Sequence, residues 1–288
     1  MSPVTFTKVP PLDKVIEKLG PTGKNPIVTS VKEFIALRDS QGAIEAPLQQ
    51  LSDWATFLQE SFMGLPAATL FPLVDLFRVT LSDPRVSGWF AEEKGNNHEL
   101  SLGIFHSFKL TPVVGNATIK AMLSSVTNHT SVPYPLRLVT LQATCNLFTS
   151  SLFPVHLTSP SLSHLVISLV TTSLLDKSHT NARVAAASLA FNLATHVQKQ
   201  RAVHNEEALQ DVEFMAAVVE ALKEEKDSKE VVKGLVLAVA LVSYCAPLEG
   251  EILELLKVLE AGEVLSEKAK VGMGEKALCQ EVAKLLEI

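Results

Sequence analysis

The fold of this chain is decided by residues 182–197, ARVAAASLAFNLATHV, an apolar run of small side chains that carries one amide, Asn192. The same pattern occurs 46 residues earlier in residues 136–149, LRLVTLQATCNLFT, where Asn146 stands in the place of Asn192. Another 46 residues reaches Ala238, so the third copy lacks the amide. A period of about 40 to 47 residues is typical of armadillo and HEAT repeats. We therefore predict an all-α, armadillo/HEAT-like α-solenoid of stacked helix pairs with a concave binding face.

The composition supports this class and limits the partners. Of 288 residues, 47% are apolar and only 6% are aromatic, which suits layered helices better than a β-sandwich. The net charge of −6 gives no global field to attract nucleic acid or an anionic membrane, although a local basic groove remains open. The longest apolar run is shorter than the roughly 20 residues that cross a bilayer. We expect neither a nucleic-acid nor a membrane partner.

Three cysteines, Cys145, Cys245 and Cys279, are too widely spaced to form a CxxC pair. An odd number of thiols in apolar helical contexts indicates free, buried cysteines in a reducing compartment. The first residues also lack the basic start and apolar core of a signal peptide. We expect a cytoplasmic protein, with the nucleus as a second compartment.

The chain divides into two parts. Residues 1–47 are predicted to be an N-terminal arm with short helices, and residues 48–288 the solenoid. The opening residues 1–11 contain Pro3, Pro10 and Pro11 and predict a flexible segment. Apolar spacing of three and four residues predicts helices over 12–19, 31–38, 48–62, 66–81, 84–90, 100–110, 116–125, 136–153, 161–175, 182–199, 212–223, 229–246, 249–260 and 266–286.

Catalytic and metal-binding motifs are missing from the sequence. It contains no Walker loop, GxGxxG, GxSxG or HExxH, and its eight histidines are scattered without carboxylates or cysteines at ligand spacing. We expect no metal and no cofactor. Cys145 is a candidate nucleophile, but a nucleophilic thiol needs a neighbouring base, and a packed small side chain is the alternative interpretation.

The amides inside apolar helices are the more informative polar groups. A buried amide must be hydrogen-bonded, and Asn146 and Asn192 could form a ladder that satisfies backbone groups of the fold itself or of a bound extended peptide. The alternative is that each amide ties down a neighbouring loop. Arg137 and Arg183 lie nine residues before these amides and so cannot share their helix face. These arginines are predicted to be solvated or paired at the helix ends.

Two cations stand alone in strongly apolar helices, Arg78 and Lys233. If they line a groove, they can bind the carboxylate or acidic side chains of a partner, Arg78 through a bidentate fork and Lys233 as a point charge. Asp75, three residues before Arg78, offers a structural alternative as its ion-pair partner.

Residues 70–90, LFPLVDLFRVTLSDPRVSGWF, resemble the opening of the PUL domain family, which has an FP-hydrophobic-LD-hydrophobic-LR phrase followed by a DPRV-type segment. Residues 136–148, 182–194 and 231–241 resemble later helices of the family in the same order, and the ending ALCQEVAKLL also fits. The resemblance extends over about residues 48–288.

This resemblance implies a non-enzymatic, armadillo-like module in ubiquitin- or SUMO-dependent turnover. The family binds the acidic, tyrosine-containing C-terminal tail of the hexameric AAA ATPase that extracts ubiquitylated proteins, of the valosin-containing protein type. Arg78 matches the arginine that ends the first phrase, and Lys233 matches the arginine that opens the last. Gln142 stands where many relatives have arginine, and Arg137 is a candidate to compensate.

Two alternatives remain open at this point. Fungal PUL domains also follow thioredoxin-like and desumoylating-isopeptidase domains, so the chain could be a scaffold fragment of such a cysteine enzyme whose catalytic module is absent here. It could also be a solenoid that has lost tail binding and contacts another protein.

Overall fold

The computed structural model describes residues 1–41, 50–92, 116–127, 132–204, 212–244, 246–247 and 250–286. Within these ranges the chain forms α-helices and two short 3₁₀ segments, without any strand. The predicted all-α class is confirmed. The helix predicted over residues 100–110, and Cys245, lie outside the described residues.

The helices follow one another with short connections. In chain order they are α1 (Leu12–Lys18), α2 (Pro26–Gln41), α3 (Leu51–Gly64), α4 (Ala67–Thr80), α5 (Pro84–Ala91), α6 (Ala117–Thr127), α7 (Tyr134–Asn146), α8 (Phe153–Leu157), α9 (Ser163–Leu174), α10 (Thr180–His204), α11 (Val212–Glu224), α12 (Lys229–Ser243), α13 (Glu251–Val258), α14 (Ala261–Lys270) and α15 (Lys276–Leu286). The 3₁₀ segments cover Gly20–Lys24 and Leu147–Thr149.

The helices stack in two layers, as in an α-solenoid. One layer places α4, α7, α10, α12 and α15 side by side, and the other places α3, α6, α9 and α11 side by side, with α13 and α14 packed on α11. Contacts between α6 and α7, between α9 and α10, and between α11 and α12 join the layers. Each 46-residue copy of the sequence pattern therefore supplies one helix of the first layer, namely α7, α10 and α12.

Small side chains bring α10 and α12 close together. Six alanines of α10 are buried, and a Cβ atom at Gly234 of α12 would lie 3.1 Å from the Cβ of Ala187 and 3.3 Å from its carbonyl oxygen. A larger side chain at either position would push the helices apart, because interiors of this density have no free volume. The alanine-rich run that sets the repeat is thus the contact surface between neighbouring repeats.

A buried charged cluster joins the two layers at the next connection. The Arg183 guanidinium of α10 donates to Glu225 at 2.7 Å, and both side chains are nearly inaccessible. The Lys268 ammonium of α14 donates to the carbonyls of Lys223 and Glu225, at 2.9 and 2.7 Å. These carbonyls end α11 and would otherwise be unpaired. The prediction that Arg183 pairs at a helix end is confirmed.

The first 41 residues pack on the start of the solenoid. Both α1 and α2 contact α4, and Val28, Val31 and Ile35 of α2 are buried. The predicted domain boundary after residue 47 falls within residues 42–49, outside the described part of the chain, and stays a prediction.

Two predicted helices are each divided in the structure. The helix predicted over 136–153 ends at Asn146, where the hydroxyl of Thr149 donates to the carbonyls of Asn146 and Leu81 and so competes with helix continuation. The helix predicted over 266–286 ends at Lys270, because Gly272 has a positive φ of 69° and terminates α14.

Candidate peptide-binding groove

Asn192 and Asn146 each hold the backbone of one residue near the start of the chain. The Asn192 amide accepts from the N–H of Val4 and donates to its C=O, both at 2.8 Å. The Asn146 amide does the same with Phe6, at 2.7 and 2.9 Å. In an extended chain the N–H and C=O of one residue point to the same side, and those of alternate residues share a side. Each asparagine therefore pairs with the peptide as a neighbouring β-strand would.

Arg78 of α4 also binds the backbone of this extended segment, nearer to α1. Its guanidinium donates to the C=O of Phe6 at 2.5 Å and to the C=O of Lys8 at 2.9 Å. Its Nε and Nη2 atoms also lie 2.7 and 2.6 Å from one carboxylate oxygen of Asp75, Oδ1. The predicted alternative of an Arg78–Asp75 ion pair is confirmed. We call Arg78, Asn146 and Asn192 the polar ladder, and the surface of α4, α7 and α10 that carries it the groove.

The ladder is fixed by the helices that carry it. The second N–H of the Asn146 amide donates to the carbonyl of Arg78 at 2.8 Å, in the last turn of α4, where carbonyls lack intrahelical partners. Asn146 thereby joins α7, α4 and the bound peptide. All three ladder side chains are buried, with at most 5% of each residue exposed. The predicted asparagine ladder satisfies backbone groups of the chain itself, and its binding of a partner peptide stays a prediction.

Residues 1–9, which we call the N-terminal segment, have no helical structure, and Val4, Phe6 and Lys8 bind the ladder in the groove. Phe6 and Val9 are half-buried against the hydrophobic core, whereas Thr7 and Lys8 are exposed. The sequence prediction of a flexible segment did not anticipate these contacts. Residues 4–7, VTFT, alternate apolar and polar and are β-branched or aromatic, which is a short strand signal that could have indicated an extended conformation.

A cleft of about 530 Å³ opens beside the N-terminal segment, lined by Thr7 and Val9 and by groups that end α4. Arg38 donates there to the hydroxyl and the carbonyl of Ser82, at 2.5 and 2.8 Å. Arg85 pairs with Asp83 at 2.7 Å. The hydrogen bonds of Arg38 hold the C-terminal end of α4, and therefore Arg78, in place.

The remaining predicted site residues lie off the ladder. Gln142 is half-buried one turn before Asn146, so the two share a face of α7. Arg137 pairs with Asp176 near the start of α7, as predicted for a first-turn arginine. Lys233 is exposed on α12 and lines a small cavity with Gly272 and Met273. Their roles in partner binding stay predictions.

Cys145 lies in α7 next to the ladder but faces the interior. It is fully buried, and its thiol contacts the carbonyl of Ala185 at 3.8 Å. Burial raises the pKa of the Cys145 thiol far above its ordinary value, whereas a nucleophile needs a lowered pKa. The environment is that of a packed, unreactive thiol.

Neither a metal centre nor a membrane span is found in the described part of the chain. No three histidine, cysteine, aspartate or glutamate side chains there come together as ligands. Likewise, no described helix is both long enough and apolar enough to cross a bilayer.

The fold and the groove define an α-solenoid that holds an extended segment of its own chain by the main chain. The sequence model of the PUL domain family matches residues 1–285, and the chain belongs to this family of protein-interaction domains. The match includes the N-terminal segment, α1 and α2, which precede the part that the sequence resemblance covered. No curated protein matches the chain.

Proposed function

We propose that this protein is a non-enzymatic adaptor that binds the acidic C-terminal tail of a hexameric, valosin-containing-type AAA ATPase in ubiquitin-dependent turnover. One observation carries the proposal: the polar ladder binds an extended main chain through alternate residues. A C-terminal tail can present such a main chain, because it can extend without unfolding the rest of its protein. We place this activity in the cytoplasm, with the nucleus as a second compartment.

An exposed cation in the same layer supports an acidic ligand. Arg78 is paired with Asp75 and donates to two backbone carbonyls, so it would contribute main-chain hydrogen bonds to the tail. Lys233 stands exposed on α12, the helix that follows α10 in the same layer. We infer that the exposed Lys233 supplies a positive charge for the tail and that Gln142 adds a polar group beside Asn146.

The thiol-enzyme alternative gains no support from Cys145, because burial raises its pKa. Activity of the chain on ubiquitin or SUMO conjugates, abolished by Cys145→Ala, would be needed to restore it.

Isothermal titration calorimetry with the acidic tail peptide tests the proposal. Lys233 has no hydrogen bond to the N-terminal segment, so Lys233→Ala changes tail binding without disturbing that segment. We expect Lys233→Ala to weaken binding up to about fivefold, the range of an exposed ion pair. The matched control is Lys223→Ala, an exposed lysine of α11 in the other layer. Equal affinities of the two variants would contradict the role of Lys233, and a tail peptide that binds no form of the chain would overturn the function.

A further inference from the structure

The groups that would bind a partner peptide are already occupied. Asn192, Asn146 and Arg78 direct their side-chain hydrogen bonds to the backbone of Val4, Phe6 and Lys8. Burial of these three side chains includes the cover that the N-terminal segment provides. A partner peptide can reach the ladder only when this segment leaves.

The contacts of the N-terminal segment are of a kind that another peptide can reproduce. Every hydrogen bond it makes to the ladder comes from its main chain, which all peptides share. The Val4 and Lys8 side chains are exposed, and only the Phe6 ring lies at a ladder position and is half-buried against the core. The groove therefore selects an extended backbone with an apolar or aromatic side chain at the Phe6 position.

The segment also defines a direction and a register. Val4 lies at α10, Phe6 lies between α7 and α4, and Lys8 lies at α4. The bound chain thus runs from N- to C-terminus against the order of the helices. Two of its residues, spaced by two, must have a free N–H group, so proline cannot occupy those places.

We propose that residues 1–9 are a displaceable self-ligand, and that the partner peptide binds by taking their place in the same direction, with an aromatic side chain in the position of Phe6. The inference rests on the proposed function and adds its regulation and its specificity. The tyrosine expected in the acidic tail would then occupy the Phe6 position, and the N-terminal segment would lower the affinity for the tail.

The covalent connection makes the competition effective and reversible. Only Pro10 and Pro11 separate the segment from α1, which keeps it near the groove at an effective concentration on the order of millimolar. The ordering of a terminal segment costs conformational entropy that offsets most of the gain from its hydrogen bonds. The closed state is therefore favoured over the open state by a modest factor, and ligands that bind the ladder shift this equilibrium.

A matched pair of proline variants separates the ladder contacts from general effects on the segment. Val4→Pro with Phe6→Pro removes the two N–H groups that donate to Asn192 and Asn146. Thr5→Pro with Thr7→Pro introduces the same number of prolines at positions whose N–H groups do not bond the ladder. Both variants keep every helix, which circular dichroism and thermal unfolding will verify.

Fluorescence anisotropy with a labelled acidic tail peptide measures the effect. We expect the Val4→Pro/Phe6→Pro chain to bind the tail about tenfold more tightly than the native chain, which corresponds to a closed-to-open ratio of about ten. The Thr5→Pro/Thr7→Pro chain should bind as the native chain does. A synthetic peptide of residues 1–9 should displace the tail from the Val4→Pro/Phe6→Pro chain, and the same peptide with both prolines should not. Replacing the aromatic residue of the tail by alanine should weaken binding.

The outcomes distinguish this inference from the proposed function. Equal tail affinity of all three chains would overturn the self-ligand while leaving tail binding intact. If no chain binds the tail, yet a labelled peptide of residues 1–9 binds the Val4→Pro/Phe6→Pro chain and loses affinity on Asn192→Ala, the self-ligand stands and the tail function fails. If the peptide of residues 1–9 binds none of the chains, the self-ligand is wrong.

Discussion

The side chain of Asn192 exchanges two hydrogen bonds of 2.8 Å with the backbone of Val4, a residue 188 positions earlier in the chain. Asn146 makes the equivalent pair with Phe6. Two asparagines that are 46 residues apart in the helices thus bind two residues that are two positions apart in an extended segment. The copies in α7 and α10 each supply one amide, and the extended segment supplies one backbone N–H and one C=O for each of them.

Asn192→Ala should release the first residues of the N-terminal segment. It leaves the N–H and C=O of Val4 without their partner, and the loss of a pair of hydrogen bonds of about 0.5–1.5 kcal/mol each should speed amide exchange at Val4 roughly tenfold. Ser188→Ala is the control, because this hydroxyl, one turn earlier on α10, bonds only the carbonyl of Val184. Hydrogen exchange followed by NMR gives the measurement. Unchanged exchange at Val4 in the Asn192→Ala chain would contradict the ladder.

Arg78→Leu should destabilise the fold more than the double change Arg78→Leu with Asp75→Leu. Both side chains are largely buried, at 6% and 16% exposure, so the single change leaves a poorly solvated carboxylate without its cation. The expected cost is about 3 kcal/mol for the single variant, with a large part recovered in the double variant. Urea unfolding of the four chains in this cycle measures the coupling. If the two single changes alter the free energy of unfolding additively, the Arg78–Asp75 ion pair has no coupling energy, which would contradict this prediction.

Glu225→Gln should weaken the acid dependence of stability. Burial by itself raises the pKa of Glu225. Hydrogen bonds from Arg183 and from the N–H groups of Asp227 and Ser228 lower this pKa by more than burial raises it, so the pKa lies below the ordinary 4.5. A carboxylate with a lowered folded-state pKa stabilises the fold above about pH 4.5 and loses that contribution as the pH falls through its folded-state pKa.

The Glu225→Gln chain should therefore be less stable at neutral pH, by about 3 kcal/mol, and should lose less stability on acidification than the native chain. Glu220→Gln is the control, since Glu220 is an exposed residue of α11, the helix that ends just before Glu225. Thermal unfolding across the acidic range measures both. Parallel curves for native and Glu225→Gln chains would refute the assignment.

Gly234→Val should lower the free energy of unfolding, whereas Gly262→Ala should raise it. A Cβ at Gly234 lies 3.1 Å from that of Ala187, so the two further methyl groups of valine overpack the α10–α12 contact and cost about 2 kcal/mol. No atom lies within 4 Å of a Cβ at Gly262 in α14, so alanine there should stabilise by about 0.5 kcal/mol through reduced backbone entropy. The denaturant concentration at the unfolding midpoint should fall for Gly234→Val and rise for Gly262→Ala. A stabilising Gly234→Val would mean that the two helices can separate at little cost.

Cys145 should resist alkylation in the native protein. Its thiol is fully buried and its pKa is raised by burial, so the reactive thiolate is scarce and inaccessible. Mass-spectrometric peptide mapping after treatment with iodoacetamide should show labelling of Cys145 only when the chain is unfolded by urea. Rapid labelling in native buffer would contradict the packing of α7.

Much of the fold could be predicted from residues near one another in sequence. The repeat spacing predicts α7 and α10 and places Asn146 and Asn192 on equivalent faces, because helix periodicity is local. The division after Asn146 was not predicted, since it depends on a hydroxyl of Thr149 that bonds Leu81 on another helix. The division at Gly272 was missed although the glycine is visible, because apolar residues continue on both sides.

The sequence by itself determined the helical class, the repeat and the identity of the ladder residues, because each depends on side-chain type and on spacing within one helix. Only the tertiary structure decided what the ladder holds. Whether Arg78 faces solvent, a partner or its own chain depends on contacts across 72 residues, to Phe6, as well as on Asp75 within the same turn. Backbone groups of an extended segment carry no residue-specific signal, so the contact between Asn192 and Val4 becomes visible only when the helices have stacked.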